Sequence, residues 1–247
     1  MSAPVRLGML TPSSNTVLEP MTTAMLSGLP EVTAHFSRFK VTEIALTDSA
    51  LGQFDDSEIL RAAELLAHAK VDVIAWNGTS ASWLGFDRDE QLCERIRAAT
   101  GITACTSVLA FRDIFELTGR PRIGLVTPYI DDVQNRIRAN WAASGYACPA
   151  ERHMGLQDNF SFATVGEDEI AELVRAVARE EVEAAAIVCT NMRGATRAAA
   201  LERETGIPVY DSIATTLWKC LALTGIDAAR LADWGSLFAL KSRPAAG

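Results

Sequence analysis

The chain has 247 residues, of which 49% are hydrophobic and 22% are charged. This length and composition suit one large α/β domain or two smaller ones with a sizeable core. The net charge is -8 at pH 7, and no stretch of lysine and arginine is dense enough to hold a phosphate backbone. We therefore expect no nucleic-acid partner.

Cysteine and histidine usage excludes two further classes of protein. The five cysteines are odd in number, widely spaced and without a Cys-x-x-Cys pair, and the three histidines lack metal-ligand spacing. We expect neither a disulfide framework nor a bound metal. A predicted strand begins within about four residues of the N-terminus, which argues against a signal peptide. No apolar run approaches the roughly 20 residues of a membrane helix, so we expect a cytoplasmic protein without a membrane partner; a homo-oligomer stays open.

The predicted elements alternate between strands and helices. The first strand, Val5–Leu10, ends at Thr11–Pro12, and Ser13–Asn15 offer caps for a following helix whose N-terminus Glu19 would complement. Further along we expect a strand over 32–40, a helix over 56–69, a strand over 71–76 with an exit loop at 77–80, a helix over 88–99, a strand over 102–105 and a helix over 107–117.

The sequence then repeats itself. Residues 6–12 match 122–128, residues 71–76 match 182–187, and residues 100–107 match 205–212; the loop after the second pair places Gly78 opposite Cys189. Matches in the same order, with offsets that drift by only about ten residues, indicate an internal duplication. We therefore predict an α/β fold of two pseudo-twofold-related parallel-sheet halves, Rossmann-like or flavodoxin-like, with the active site between them.

The boundary between the halves falls near residue 120. We predict a first half over 1–119, a second half over 120–225, and a C-terminal helix over about 226–240 that returns to the first half. Loops that follow corresponding strands would then meet in one cleft.

A cysteine lies at the most informative strand end. Ala184–Val188 is a small apolar run that leads directly into Cys189, and polar residues follow as far as Gly194. This pattern predicts a buried parallel strand whose C-terminal tip opens into a loop and a helix. Open α/β sheets bind ligands at such tips, although a strand-end cysteine alone is more often an inert buried residue.

Three segments carry a resemblance to a known family. Thr11–Pro20 resembles the N-terminal signature of maleate isomerases, Gly78–Ser80 resembles the Gly-Thr-Ser loop of arylmalonate decarboxylases, and Thr127–Val133 resembles their Tyr-Ile-Asp-Asp segment. On these motifs and the duplication, the chain is identified as a member of the aspartate/glutamate racemase superfamily, in the branch of maleate cis-trans isomerases and arylmalonate decarboxylases.

The resemblance makes Cys189 the expected catalytic residue, whereas Gly78 departs from the two-cysteine pattern of the superfamily. Two-cysteine racemases and isomerases of this superfamily bring one cysteine from each half to opposite faces of the substrate, but the first-half position here is glycine. A two-base racemase would lack one group, and a covalent isomerase would lack its nucleophile. Arylmalonate decarboxylases share the single-cysteine arrangement. Cys105 aligns with Tyr210 in the repeat and so is a poor substitute.

The resemblance implies a cofactor-independent decarboxylase of a malonate-type or related small carboxylic or dicarboxylic acid. Loss of CO2 leaves an enediolate, which preorganised donors must stabilise. The expected donors are Thr79, Ser80, Tyr129 and the backbone of Thr190, and Cys189, as a neutral thiol, would protonate one face. The apolar pocket for the leaving carboxylate is expected among Val41, Ile44, Trp83, Met154 and Leu156. Thr79 and Ser80 could instead be helix caps.

Two asparagines point toward the isomerases. Asn15 and Asn159 match positions where maleate isomerases hold substrate carboxylates, although Asn15 could instead cap a helix. The first alternative is therefore a maleate-type isomerase or a racemase with an unrecognised second group. A second alternative, of another class, is a non-catalytic carboxylate-binding accessory protein, similar to the ectoine-utilisation proteins of this branch.

Overall fold

A computed structural model describes residues 4–44, 46 and 56–241. Within them lie two four-stranded parallel sheets with the strand orders β2-β1-β3-β4 and β6-β5-β7-β8. The same order in both halves confirms the predicted α/β fold. The strands are β1 (Val5–Pro12), β2 (Val32–Phe39), β3 (Val73–Trp76), β4 (Ala104–Thr106), β5 (Arg122–Thr127), β6 (Ala147–His153), β7 (Ala184–Ile187) and β8 (Val209–Asp211).

Helices flank both sheets. They are α1 (Leu18–Leu26), α2 (Asp56–His68), α3 (Ala81–Leu84), α4 (Phe86–Thr100), α5 (Ser107–Thr118), α6 (Asp131–Ala143), α7 (Glu167–Ala178), α8 (Ala195–Thr205) and α9 (Ser212–Leu223). None of the helices in the described part of the chain is long and apolar enough to cross a membrane.

β3 and β7 are short inner strands of the two sheets, and both of their faces are covered. Every residue of β3 and of β7 is buried, as expected for parallel strands between two helical layers. β1 pairs with β3 on one side and with β2 on the other, and β5 pairs in the same way with β7 and β6. Equivalent strands therefore end at equivalent heights, and their exit loops form one edge of each sheet.

The helices that follow the edge strands begin with a side-chain cap in both halves. Thr106 Oγ1 accepts a hydrogen bond from the Leu109 N–H at the start of α5, and Asp211 Oδ1 accepts from the Ile213 and Ala214 N–H groups at the start of α9. Such caps typically stabilise a helix by about 1 kcal/mol. They also fix where α5 and α9 leave the sheets, which matters because these two helices join the halves.

The halves meet through α5 and α9. Ser107 Oγ and Thr216 Oγ1 are hydrogen-bonded at 2.7 Å, and the sulfurs of Cys105 and Cys220 lie 3.7 Å apart. The apolar contact is extensive, and each fully buried large side chain contributes about 1.5–3 kcal/mol. The aromatic residues near this contact are Phe111, Phe115, Trp141 and Tyr210.

The C-terminal segment differs from the expected helix. It forms two short 3-10 helices, Ala228–Trp234 and Ser236–Ala239, because Leu231 has non-helical φ and ψ angles and Gly235 has a φ of 136°. The segment also contacts both halves: Arg230 donates a hydrogen bond to Gly28 O, and the Ser236 N–H donates one to Glu202 Oε2. The C-terminal segment thus packs on the first half, as expected, but also on the second half.

Candidate active site

A small cavity of about 20 Å³ lies where the strand ends of the two halves face each other. It contains all of the site residues predicted from the sequence except Asn15. The lining residues are Pro12, Val41, Ile44, Trp76, Gly78, Thr79, Ser80, Trp83, Tyr129, Asn159, Cys189 and Thr190. The structure therefore brings Gly78 and Cys189, the two repeat partners, to the same small space.

Cys189 is buried, with 3% of its surface exposed, and its sulfur accepts a hydrogen bond from the Asn191 N–H at 3.4 Å. Burial, with a smaller contribution from the nearby Asp211 carboxyl, raises the pKa of the thiol to about 12. The Asn191 N–H and the Tyr129 hydroxyl oppose that shift in the thiol pKa by hydrogen bonding to the sulfur. At neutral pH the group is thus a neutral thiol, which suits a proton donor better than a nucleophile.

Thr79 and Tyr129 form a hydroxyl pair across the two halves. Thr79 Oγ1 and the Tyr129 hydroxyl oxygen lie 2.6 Å apart. Burial raises the pKa of Tyr129, and so does the neighbouring Cys189 sulfur, so the phenol keeps its proton. The rings of Trp83 and Phe162 pack against the Tyr129 ring at 5.3 and 5.6 Å and restrict its orientation.

The Gly-Thr-Ser loop does not cap α3 in the ordinary way. Ser80 is the residue before the helix, but its side chain makes no capping hydrogen bond, and the Thr79 hydroxyl is directed to Tyr129. Helix capping, the simpler explanation of these two hydroxyl residues, is therefore not the arrangement observed. Both side chains are buried and line the cavity.

Thr190 is held from both directions. Its hydroxyl donates to Asn77 O at 2.8 Å, and Asn15 Nδ2 donates to Thr190 O and to Thr190 Oγ1, each at 3.1 Å. Asn15 Oδ1 accepts from the Val17 and Leu18 N–H groups and so caps α1. The amide of Asn15 is thus engaged by the protein, and a carboxylate could reach it only by displacing Thr190.

Asn159 belongs to the cavity wall, and Asn191 holds it there. Asn159 Nδ2 donates to Ser14 Oγ at 2.7 Å, and the backbone carbonyl oxygen of Asn159 accepts from Asn191 Nδ2 at 2.6 Å. Asn191 Oδ1 accepts in turn from the Thr16 and Val17 N–H groups. Asn191 was not among the residues predicted from the sequence, although its position in the loop after Cys189, as the repeat partner of Ser80, was an available signal.

Asp211 is a second buried polar residue that was not predicted from the sequence. It is fully buried at the end of β8, where burial raises its pKa to about 7. The N–H groups of Ala214 and Ile213 at the start of α9, and of Ala195 at the start of α8, lower the pKa of the same carboxyl. The carboxyl therefore lies between two helix N-termini, behind the loop that carries Cys189.

The apolar part of the wall is only partly as expected. Val41, Ile44 and Trp83 line the cavity. Met154 and Leu156 do not; they pack on the core from outside it, because the backbone of Leu156 is tied to Pro128 O. Two residues that were not expected there, Pro12 and Trp76, complete the wall.

The other cysteines lie outside this cavity. Cys93 and Cys105 line a larger cavity, of about 440 Å³, which contains none of the predicted site residues. Four of its charged side chains form ion pairs, Arg112 with Glu90 and Lys219 with Asp113. This second cavity thus lacks the convergent donors and the hydroxyl pair found around Cys189.

The fold and the cavity define a two-lobed α/β protein with a candidate ligand site between equivalent strand ends. The profile of the arylmalonate decarboxylase family matches residues 8–238. The chain therefore belongs to the arylmalonate decarboxylase family, which confirms the branch identified from the motifs.

Named relatives include both enzymes of that branch. The maleate isomerase of Pseudomonas putida is 27% identical over 230 residues, which cover 87% of this chain and 90% of the relative. The arylmalonate decarboxylase of Bordetella bronchiseptica is 28% identical over 169 residues, which cover 67% of this chain and 70% of the relative. The family is thus one of enzymes, and its two activities are both represented.

Solved structures show the same fold. The maleate isomerase Iso of Pseudomonas putida S16 aligns with a TM-score of 0.86 at 24% identity, covering 96% of this chain and 98% of that one. A crystal structure of arylmalonate decarboxylase aligns with a TM-score of 0.76 at 24% identity, covering 95% and 99%. A mutant of the Nocardia farcinica maleate cis-trans isomerase, which carries a covalently bound succinylcysteine intermediate, aligns at 0.82 and 23% identity, covering 95% and 98%.

Proposed function

We propose that the protein is a cofactor-independent decarboxylase of a malonate-type or related small carboxylic acid. The observation that carries this proposal is a single neutral thiol, Cys189, that shares a cavity with a glycine at the equivalent first-half position. A group that stays protonated at neutral pH can deliver a proton to a carbanion. No second thiol lies among the described residues that line the cavity.

The hydroxyl pair supplies the stabilisation that the reaction requires. When the bond to CO2 breaks, its electron pair passes into the remaining carboxylate and forms an enediolate with two charged oxygens. Of the two hydroxyl hydrogens in the Thr79–Tyr129 pair, one lies between the oxygens, and the other can turn from the Cys189 sulfur to the enediolate when the substrate is bound. Preorganised donors of this kind are worth about 10²–10³ in rate each.

Protonation completes the reaction. The Cys189 S–H transfers its proton to the α-carbon, the electron pair of the S–H bond stays on sulfur, and water returns a proton to the thiolate. The thiolate is strongly basic, because burial raises the pKa of its conjugate thiol, so it is reprotonated readily. CO2 would leave along Val41, Ile44 and Trp83, where desolvation favours the neutral product.

A maleate-type isomerase is the second candidate, because the maleate isomerase relative covers more of this chain than the decarboxylase relative does. The succinylcysteine intermediate of the Nocardia enzyme implies a thiolate that adds to an alkene. Here the raised pKa of Cys189 disfavours the thiolate, and position 78 has no side chain. These two features favour decarboxylation over covalent isomerisation.

The test follows product formation by proton NMR in D2O with phenylmalonate, methylphenylmalonate and maleate as separate substrates. We expect CO2 release, and from methylphenylmalonate a single deuterated enantiomer, with loss of turnover in Cys189→Ala. Cys148→Ala, which removes a buried thiol outside the cavity, is the matched control and should retain activity. A racemic deuterated product would contradict one-face protonation, and fumarate from maleate would favour the isomerase.

Calorimetric binding of the same acids separates a third candidate, the non-catalytic accessory protein. Equal carboxylate binding by the wild type and by Cys189→Ala, with turnover by neither, would favour that role. Absence of both CO2 and fumarate, with no binding, would refute the substrate class altogether.

A further inference from the structure

The side of the cavity at Gly78 is filled by an aromatic ring. A Cβ atom built on Gly78 would lie 1.9 Å from Trp76 Cζ2 and within 2.5 Å of Cε2 and Cη2 of the same indole. These distances are far below van der Waals contact, and real Cβ atoms do not approach other atoms so closely. Gly78 does not have a positive φ, so the obstacle to a side chain there is the indole and not the backbone.

Trp76 is firmly seated. It is the last residue of β3, only 1% of its surface is exposed, and its ring packs against Phe39 with 5.0 Å between centroids. Its carbonyl oxygen accepts a hydrogen bond from Ser107 Oγ. Because the backbone of Trp76 is fixed in β3 and its ring is buried against Phe39, the indole cannot move aside without disturbing the core.

The second half has a different arrangement at the equivalent place. The repeat partner of Trp76 is Ile187, whose carbonyl oxygen accepts from Ser212 Oγ in the same way. The side chain of Ile187, however, lies against Gly194, within 3.0 Å of a Cβ built there. It therefore does not cover Cys189, which is free to line the cavity. The two halves share a backbone frame and differ in which side chain reaches the substrate.

We propose that Trp76 is a specificity-determining residue that occupies the place of a first-half proton donor and so confines proton transfer to the Cys189 face. This inference rests on the proposed function, since it concerns the stereochemistry of the same site. The absence of a thiol at position 78 then depends on more than the glycine itself. It results from a two-residue arrangement, in which Gly78 makes room for the indole and the indole excludes any side chain at position 78.

The first test is thermodynamic and needs no turnover. Gly78→Ala should lower Tm by about 3–10 °C in the wild-type background, as expected for overpacking. The same change in a Trp76→Leu background should cost little, because the indole is gone. Gly166→Ala is the matched control, since nothing lies within 4 Å of its Cβ position. Equal Tm losses for Gly78→Ala in both backgrounds would overturn the proposal.

The second test concerns the two faces. In a Trp76→Leu/Gly78→Cys variant, the introduced thiolate can remove the α-proton of 2-phenylpropionate while Cys189 donates a proton to the opposite face, which inverts the carbon with no net gain of protons. We expect racemisation in D2O at least ten times faster than in Gly78→Cys alone. Equal racemisation by the single and double variants would show that the indole is no barrier.

The two tests also separate this inference from the proposed function. If the wild type decarboxylates nothing, the proposed function fails, whereas the background dependence of Gly78→Ala still decides whether Trp76 blocks the position. Iodoacetamide labelling of the introduced thiol gives the same answer by mass spectrometry: rapid labelling only in the double variant supports the proposal, and rapid labelling in both refutes it.

Discussion

Replacing Asp211 with asparagine should flatten the dependence of the protein's stability on pH. The carboxyl is fully buried between the N-termini of α8 and α9, and burial raises its pKa from 3.8 to about 7. Asparagine keeps the oxygen that accepts from Ile213 and Ala214 but cannot ionise. The substitution thus removes a titration while it preserves the cap of α9.

The sign of the effect follows from the direction of the shift in pKa. A folded-state pKa above the unfolded value means that the folded protein binds the proton more tightly. The stabilisation is complete below pH 4 and is lost as the pH rises through about 7. Between pH 5 and pH 8 the titration of this group should lower the free energy of unfolding of the wild type by on the order of 2 kcal/mol, at 1.4 kcal/mol per pKa unit.

The assay is urea unfolding of the wild type and of Asp211→Asn at pH 5, 6, 7 and 8. The absolute stability of the variant can differ for other reasons, so the quantity of interest is how the difference between the two proteins changes with pH. The free energy of unfolding of the variant, relative to that of the wild type, should increase as the pH rises. Asp89, also buried with its pKa raised to about 7, should remain as a residual slope in the variant, and Asp89→Asn should remove that part. Parallel curves for the wild type and Asp211→Asn would refute the reasoning.

Three further measurements address the site. Thr79→Val and Tyr129→Phe should each lower kcat by about 10²-fold, because each removes a donor of the hydroxyl pair, and initial rates with an intact circular-dichroism spectrum check this. Alkylation of Cys189 by iodoacetamide should keep accelerating beyond pH 10, because burial raises the thiol pKa to about 12; a plateau near pH 8 in the mass-spectrometric rates would contradict it. Asn191→Ala should cost about 1–3 kcal/mol in urea unfolding, because it leaves the Thr16 and Val17 N–H groups without their acceptor; a loss below 0.5 kcal/mol would argue against that role.

The duplicated architecture could be predicted because it depends on patterns that sequence preserves. Apolar runs of strand length, such as the one before Cys189, and the order of the repeats require no knowledge of side-chain orientation. The C-terminal segment was harder to predict, because the interruption of its helix at Leu231 depends on how the chain packs against two halves at once.

The details of the site could not be predicted for a similar reason. Whether Asn15 faces a ligand or Thr190 depends on the docking of the halves, which places two residues far apart in sequence within 3.1 Å. Trp76 and Asp211 are ordinary strand-end residues in the sequence, and their significance comes from what lies beside them: Gly78 in one case and two helix N-termini in the other. Local sequence patterns do not encode such neighbours.

The hydrogen bonds that join Thr190 to Asn77 and Asn15 lie beside the thiol. Any movement that separates the lobes to admit a substrate must therefore break them, and it must also shift the residue adjacent to Cys189, the proposed proton donor. Under the proposed function, access to the cavity and the stereochemistry of protonation are coupled through these same contacts. Variants with weakened contacts between the lobes should exchange substrate and product faster. They should also yield an acid of lower enantiomeric purity, even when no residue that touches the substrate has changed.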